Sequence, residues 1–133
     1  MIILDEQLLG RHLEHKIAAW YRGPVHFITD LRPNTVIKDD AIPVLLRQVS
    51  EPTFVTINES DFWQRVVIDQ HFCIICFTLS DAHAYELADG LRRLLQLPLV
   101  RTKAQRMGKV IRVSGTQSSY YSWNDRTVRT ITS

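Results

Sequence analysis

Residues 53–61, TFVTINESD, combine the two signals on which the architecture of this chain depends. The segment 53–57 has the β-branched and aromatic composition of a buried strand, and the carboxylates of Glu59 and Asp61 follow at once. The start of the chain repeats the pattern, because the apolar residues 1–4 end abruptly at Asp5. Both segments predict strands of a parallel sheet, since such strands are buried on both faces and read as continuous apolar runs.

Strand and helix signals alternate along the rest of the chain. Strand composition recurs at 25–29 and 72–78. Helical signals recur at 8–20, at 41–49 and, after the suitable N-cap Ser80, as far as 97. Such alternation predicts βαβ units, and therefore a three-layer α/β sandwich in which a mainly parallel sheet carries helices on both faces.

The last part of the chain has a different pattern. Residues 109–113, 120–123 and 127–131 are strand-like and have no helix between them, so a C-terminal antiparallel β segment is predicted. With 133 residues, 45% hydrophobic and 23% charged, the chain has the size and composition of one globular domain spanning 1–133.

Two sequence features predict a location in the cytoplasm. The longest apolar run, 72–79, is too short for a membrane span, and the start MIILDEQ lacks the order of a signal peptide. We therefore expect a cytoplasmic protein without membrane contact. Cys73 and Cys76 lie three apart in a predicted strand, where they would point to opposite faces, so we expect core residues and neither a redox nor a zinc site.

Charge is distributed unevenly between the two parts of the chain. Residues 1–100 carry 9 Lys and Arg against 13 Asp and Glu, whereas residues 101–133 carry 7 against 1. The basic tail also contains aromatic residues, which is typical of a stacking surface for single-stranded nucleic acid. Its candidate contact residues are Arg112, Tyr120, Tyr121, Trp123, Arg126 and Arg129. The alternatives are a solvated, charged edge and aromatic residues that pack on a core.

Carboxylates are predicted to converge at one edge of the sheet. Asp5, Glu59 and Asp61 would all emerge at the carboxyl ends of parallel strands, where open α/β sheets bind ligands. Clustered carboxylates repel one another unless a cation joins them, and hard oxygen ligands suit Mg²⁺ or Mn²⁺. Asp39 and Asp40 sit where a helix should begin, so either of them could simply cap that helix.

Three short segments resemble the bacterial PIN-like domain family. These segments are Asp5-Glu-Gln-Leu8 after the first strand, Asp39-Asp-Ala-Ile42, and 55–62. Leu9 stands where that family often has proline. In the third segment, counting back from Asp61, Glu59 falls where the family usually has Asp and Ile57 where it has threonine.

The resemblance implies a PIN-type fold and a metal-dependent endoribonuclease that cleaves single-stranded RNA. It implies Asp5, Asp40, Glu59 and Asp61 as ligands of Mg²⁺ or Mn²⁺, with Asp39 replacing Asp40 if Asp40 caps the helix. Relatives are often the toxins of toxin–antitoxin pairs, so the resemblance also implies a small helix-turn-helix antitoxin as partner. A homodimer is left open.

Two alternative functions stay open: the changes at Ile57 and Glu59 support the first, and the second applies if the acids and the basic tail are incidental surface residues. The fold could be kept without catalysis, as a nucleic-acid-binding or regulatory module, or the chain could be a protein-interaction domain.

His12 and His15, three apart on the first predicted helix, could share a face, but without a third ligand we expect solvated residues rather than a metal site.

Overall fold

One mixed sheet of seven strands organises the protein. A computed structural model describes residues 1–131, and the strands follow the order β2-β1-β3-β4-β5-β6-β7. The strands are β1 (Ile2–Leu4), β2 (Val25–Phe27), β3 (Thr53–Thr56), β4 (Cys73–Phe77), β5 (Lys109–Ser114), β6 (Gln117–Ser122) and β7 (Asp125–Ile131). The first five pair in parallel and the last two are antiparallel. The predicted α/β class, with a mainly parallel sheet and C-terminal antiparallel strands, is confirmed.

Helices cover both faces of the sheet. They are α1 (Leu13–Ala18), α2 (Ile28–Leu31), α3 (Ile42–Leu46), α4 (Glu59–Phe62), α5 (Leu87–Leu94) and α6 (Lys103–Arg106). Apolar residues of α1 and α5 pack in one core cluster, whereas those of α2, α3 and α4 pack in a second. None of the helices in the described residues has the length and apolar character needed to cross a bilayer.

The central strands are buried on both faces, which explains their continuous apolar runs. Every residue of β1, β3 and β4 is buried, and successive residues of β4 alternate between the two core clusters. Burial of one Val, Leu, Ile or Phe side chain stabilises the fold by about 1.5–3 kcal/mol. The buried polar residues of these strands, Thr53 and Thr56, are the first and last residues of β3.

Several helices differ from their predicted lengths. The predicted helix 8–20 begins only at Leu13, because Gly10 and His12 have the left-handed φ values 76° and 59° and interrupt the chain after a 3₁₀ turn at Glu6–Leu8. The polar residues that follow the third strand include the short helix α4, which was not predicted. Ser80 precedes a 3₁₀ segment, Asp81–Glu86, and its side chain makes no capping hydrogen bond.

The two cysteines lie where the alternation of a strand predicts. Cys73 belongs to one core cluster and Cys76 to the other, and both are free. Burial raises the pKa of Cys73 to about 12 and raises the pKa of Cys76 as well. Their position on opposite faces rules out a disulfide between them and a shared metal ion.

We expect both thiols to be inert in the native protein, because the thiolate is the nucleophile and burial disfavours it. Ellman's reagent should leave the folded protein unmodified and titrate both thiols within minutes in guanidinium chloride. A thiol that reacts equally fast in both conditions would contradict the buried position.

Candidate metal centre

Asp5 is a buried carboxylate at the carboxyl end of β1. Its backbone N–H donates to the Val55 carbonyl at 3.0 Å, which extends the strand pairing by one residue. One carboxylate oxygen accepts from the Glu6 N–H at 2.8 Å and the other from the Thr56 hydroxyl at 2.7 Å. The residue is only 4% exposed, so its orientation is fixed from both sides.

The electrostatic surroundings of Asp5 disfavour its charged form. Burial raises its pKa, the hydrogen bonds from Thr56 and Glu6 partly oppose that effect, and the negative charges of Glu6 and Asp61 raise the pKa further. Within residues 1–131, Asp5 forms no ion pair with Lys, Arg or His. A buried carboxylate without a cationic partner is costly, and a bound cation would remove that cost.

Thr56 and Asn58 connect Asp5 to Asp61. The Thr56 hydroxyl, which donates to Asp5, accepts from the Asn58 N–H at 2.9 Å. The Asn58 side-chain amide donates to an Asp61 carboxylate oxygen at 2.6 Å. This chain of hydrogen bonds orients the turn between β3 and α4 and holds both carboxylates at the same edge of the sheet.

Asp39 and Asp61 are neighbouring carboxylates that act on each other's pKa. Burial, the hydrogen bond to Asp61 and the negative charges of Asp61, Asp5 and Glu6 raise the pKa of Asp39 to about 6. The hydrogen bond from Asp39 and a second one from Asn58 lower the pKa of Asp61. Asp39 therefore keeps its proton to a higher pH than an isolated aspartate, as expected for carboxylates that lie together without a cation.

An open cavity of about 420 Å³ adjoins this pair. Three aspartates lie on it together with two arginines, and the rest of its lining is apolar. The lining residues are Asp39, Asp40, Pro43, Val44, Arg47, Asp61, Phe62, Arg65, Val66 and Val67. Arg47 forms an ion pair with Asp69, and the positive charge of Arg65 helps to lower the pKa of Asp61.

The predicted ligands have different surroundings. Asp5 and Asp61 lie within electrostatic range of each other. A further carboxylate within that range is Asp39. Asp40 lies on the cavity, and its side chain makes no helix-capping hydrogen bond. Glu59 forms an ion pair with Arg112, with 3.2 Å between the carboxylate and guanidinium atoms.

The register of the sheet explains why Glu59 meets Arg112. Thr56, Cys76 and Arg112 are in register across β3, β4 and β5, and partners in register point to the same face. That face carries α3 and α4, because Cys76 belongs to their core cluster. Glu59, at the start of α4, therefore lies above Arg112.

The predicted nucleic-acid-binding residues are divided between the two faces of the sheet. Arg112 lies over the Trp63 ring at 5.1 Å and Arg126 over the Tyr121 ring at 4.9 Å, and these two rings lie 5.1 Å apart. We call these four residues the cation–π row. Tyr121 is 1% exposed and its hydroxyl accepts from the Gln64 N–H, so its ring is a core side chain rather than a stacking surface.

The remaining members lie elsewhere. Tyr120 packs against the cluster that contains α1 and α5, and Arg129 is its cross-strand partner. Arg129 forms an ion pair with Asp125 at 3.0 Å. Trp123 is 47% exposed and lies directly against Gly108, where a Cβ atom would meet its ring at 2.3 Å.

A second group of side chains that could bind a metal ion lies at the start of α1. His12, Glu14 and His15 bring one ligand atom each to within 4.8 Å of one another, so they could hold a metal ion. One Glu14 oxygen lies 3.5 Å from His15, whereas the other is buried without a hydrogen-bond partner. No other group of three His, Cys, Asp or Glu side chains in residues 1–131 has ligand atoms as close together.

Sequence reasoning missed Glu14 because it placed both histidines on one continuous helix. In the structure His12 precedes α1 in a left-handed conformation. It also missed Thr56 and Asn58, whose role follows from the strand register that places Thr56 beside the residue after β1.

Comparison with known proteins gives no relative. No family model, no curated protein and no solved structure matches this chain.

Proposed function

We propose that this protein is a metal-dependent endoribonuclease with a PIN-like fold, which binds Mg²⁺ or Mn²⁺ through Asp5, Asp39 and Asp61. The observation that carries the proposal is the buried carboxylate of Asp5, which has no cationic partner within residues 1–131 and lies within electrostatic range of Asp39 and Asp61. Three carboxylates offer hard oxygen ligands of the kind these ions prefer. The ion would activate water and stabilise the leaving oxygen in phosphodiester hydrolysis.

The surrounding residues support this role through orientation and charge. The Thr56 hydroxyl holds Asp5, and the Asn58 amide holds Asp61. Because the three aspartates are not among the side chains with ligand atoms within 4.8 Å of one another, binding an ion would require the carboxylates to approach one another. Arg112 and Arg126 place positive charge on the same face of the sheet, where an RNA backbone would be attracted.

The resemblance to the PIN-like family adds support at the third motif. If one extra residue lies between the threonine and Asp61, Thr56 supplies the family's threonine, and Thr56 is the residue that bonds Asp5. The same resemblance supports a toxin role with a small helix-turn-helix antitoxin as partner.

The test is cleavage of a mixed single-stranded RNA in Mn²⁺, with EDTA in a parallel reaction. Cleavage that EDTA abolishes supports the proposal. The matched control is the double variant His12→Asn/His15→Gln, which removes the imidazoles near α1 and places at position 12 a residue that tolerates the left-handed conformation. If this variant is inactive while Asp39→Asn is active, the catalytic ion is at the histidines and the proposal is wrong.

A second candidate function is RNA binding without cleavage. The ion pair of Glu59 with Arg112 favours it, because a carboxylate that the family resemblance assigns to the metal is held by a cation instead. Saturable RNA binding, with no cleavage in any divalent cation, would select this alternative.

Arg112→Gln should weaken binding of single-stranded RNA through the loss of one phosphate contact. We expect the slope of log Kd against log salt to become smaller by about 0.7, the value for one contact to a single strand. Fluorescence anisotropy with a labelled oligonucleotide over a salt series measures this slope.

Arg129→Gln is the matched control for Arg112→Gln. It makes the same charge change in the same basic tail but on the opposite face, beside Tyr120. Equal slopes for the two variants would contradict a binding surface on the face of α3 and α4.

A further inference from the structure

A second cavity, of about 540 Å³, lies at the opposite end of the strands from the aspartates. Gly23 lines it just before Pro24, whose carbonyl accepts from Ile2 at the start of β1. Arg106 also lines it and donates to Thr53 at the start of β3. The cavity therefore lies at the amino ends of the parallel strands, outside the proposed metal centre.

The lining of this cavity is strongly basic. It contains five cationic side chains and no carboxylate. The cations are Arg22, Arg92, Arg101, Lys103 and Arg106. The proposed RNA-binding face contributes none of them, and the fold brings them together from three parts of the chain, at Arg22, at Arg92 and within 101–106.

Arg106 carries a buried charge that is bonded to neutral oxygens alone. It is 3% exposed and donates to the Thr53 hydroxyl at 3.1 Å and to the carbonyls of Val100 and Arg101 at 3.0 Å each. Within residues 1–131 it forms no ion pair. Buried charges in proteins are normally paired, because desolvation of an isolated ion is costly.

The positive potential of this region acts on its neighbours. Burial lowers the pKa of the Met1 ammonium, and the charges of Lys103 and Arg106 lower it further, whereas Glu51 acts in the opposite direction. Glu51 does not line the cavity. The basic side chains thus outweigh the nearby carboxylate.

Trp20 supplies a buried hydrogen-bond donor without an acceptor. Its indole N–H is buried and has no hydrogen-bond partner among residues 1–131, and the residue lines the same cavity. An unpaired buried donor is costly, and an acceptor that reaches it from the cavity would remove that cost. Indole N–H and guanidinium groups are all donors, so the complementary ligand is an anion rich in oxygen acceptors.

We infer that this cavity binds the phosphate or diphosphate group of a small ligand, with Arg22, Arg92, Arg101 and Lys103 as its cationic contacts and Arg106 as the buried charge behind them. The volume lies within the range of small-ligand sites. This inference is independent of the proposed nuclease activity, since it involves none of the aspartates.

The experiment measures binding of inorganic pyrophosphate by isothermal titration calorimetry at constant ionic strength, with adenosine monophosphate in a second arm. Saturable binding at one site is expected in wild type. Tighter binding of the monophosphate would identify a nucleotide, and tighter binding of pyrophosphate would identify the phosphate groups alone.

Arg92→Gln and Arg93→Gln form a matched pair. Both residues are exposed on α5 and adjacent in sequence, but only Arg92 lines this cavity. Arg92→Gln should raise the Kd about tenfold, as expected for one charge-assisted hydrogen bond. Arg93→Gln should leave the Kd within about twofold. Equal losses in both variants, or no saturable binding in wild type, would overturn the inference.

Discussion

Asp5→Asn should reduce RNA cleavage by about three orders of magnitude and leave the fold intact. The loss follows because a metal ion contributes several kcal/mol of charge stabilisation, and each 1.36 kcal/mol is tenfold in rate. An amide cannot replace the charge of the carboxylate as a metal ligand. Single-turnover cleavage of a labelled RNA in Mn²⁺ measures the effect.

The fold should survive because Asn can keep both hydrogen bonds of Asp5. Its side-chain oxygen can accept from the Glu6 N–H, and the Thr56 hydroxyl can turn to accept from the amide. The substitution also removes a buried charge whose pKa is already raised. Thermal melting without metal should therefore give a Tm equal to or above that of wild type.

Asp89→Asn is the control for this substitution, since it makes the same change at an exposed position of α5. It should cleave RNA at the wild-type rate. An Asp5→Asn variant that unfolds, or one that cleaves as well as Asp89→Asn, would show that Asp5 has a structural role only.

Mn²⁺ affinity should fall as the pH decreases below about 6, by up to tenfold per pH unit. The pKa of Asp39 is raised to about 6, so below that pH the pair with Asp61 keeps a proton that the metal ion must displace. Above about pH 7 the affinity should become independent of pH, as far as this pair determines it. Calorimetry in two buffers of different ionisation enthalpy would count the released protons.

Without metal, the same pair should affect stability in the opposite direction. The folded state holds a proton on Asp39 up to about pH 6, whereas an unfolded aspartate loses it near its ordinary value of 3.8. The free energy of unfolding contributed by Asp39 therefore decreases as the pH rises through this window. The lowered pKa of Asp61 acts with the opposite sign at lower pH, whereas the raised pKa of Asp5 acts in the same direction as that of Asp39.

Asp39→Asn distinguishes this origin from other titrations. With no proton to displace at position 39, the variant should bind Mn²⁺ more weakly at neutral pH, and its affinity should depend less steeply on pH than that of wild type between about pH 5 and 7. A variant that keeps the wild-type pH dependence would assign the titration to another group.

The strands could be predicted from sequence because strands that are buried on both faces consist of continuous apolar residues. All seven predicted strand segments correspond to strands, with ends shifted by a few residues. The helices were less predictable, since apolar spacing does not show where the backbone turns left-handed. Gly10 and His12 interrupt the first helix in this way, and α6 was not predicted although Thr102 and Gln105 form a capping box.

The acidic site could be predicted only in part. Asp5 and Asp61 follow strands, so their convergence depends on strand order alone. The choice between Asp39 and Asp40 could not be made, because adjacent residues differ only in side-chain direction. The pairing of Glu59 with Arg112 was equally inaccessible, since only the sheet brings together residues that lie 53 positions apart.

The parallel order of the central strands has a consequence for the time at which the proposed activity arises during folding. Asp5 and Thr56 are 51 residues apart, and β1 becomes an interior strand only when both β2 and β3 have paired with it. Contacts of such long sequence separation form late and slow the folding reaction, because loop closure must precede them. A growing or partly folded chain therefore lacks the assembled carboxylates, and cleavage would begin only after folding is complete.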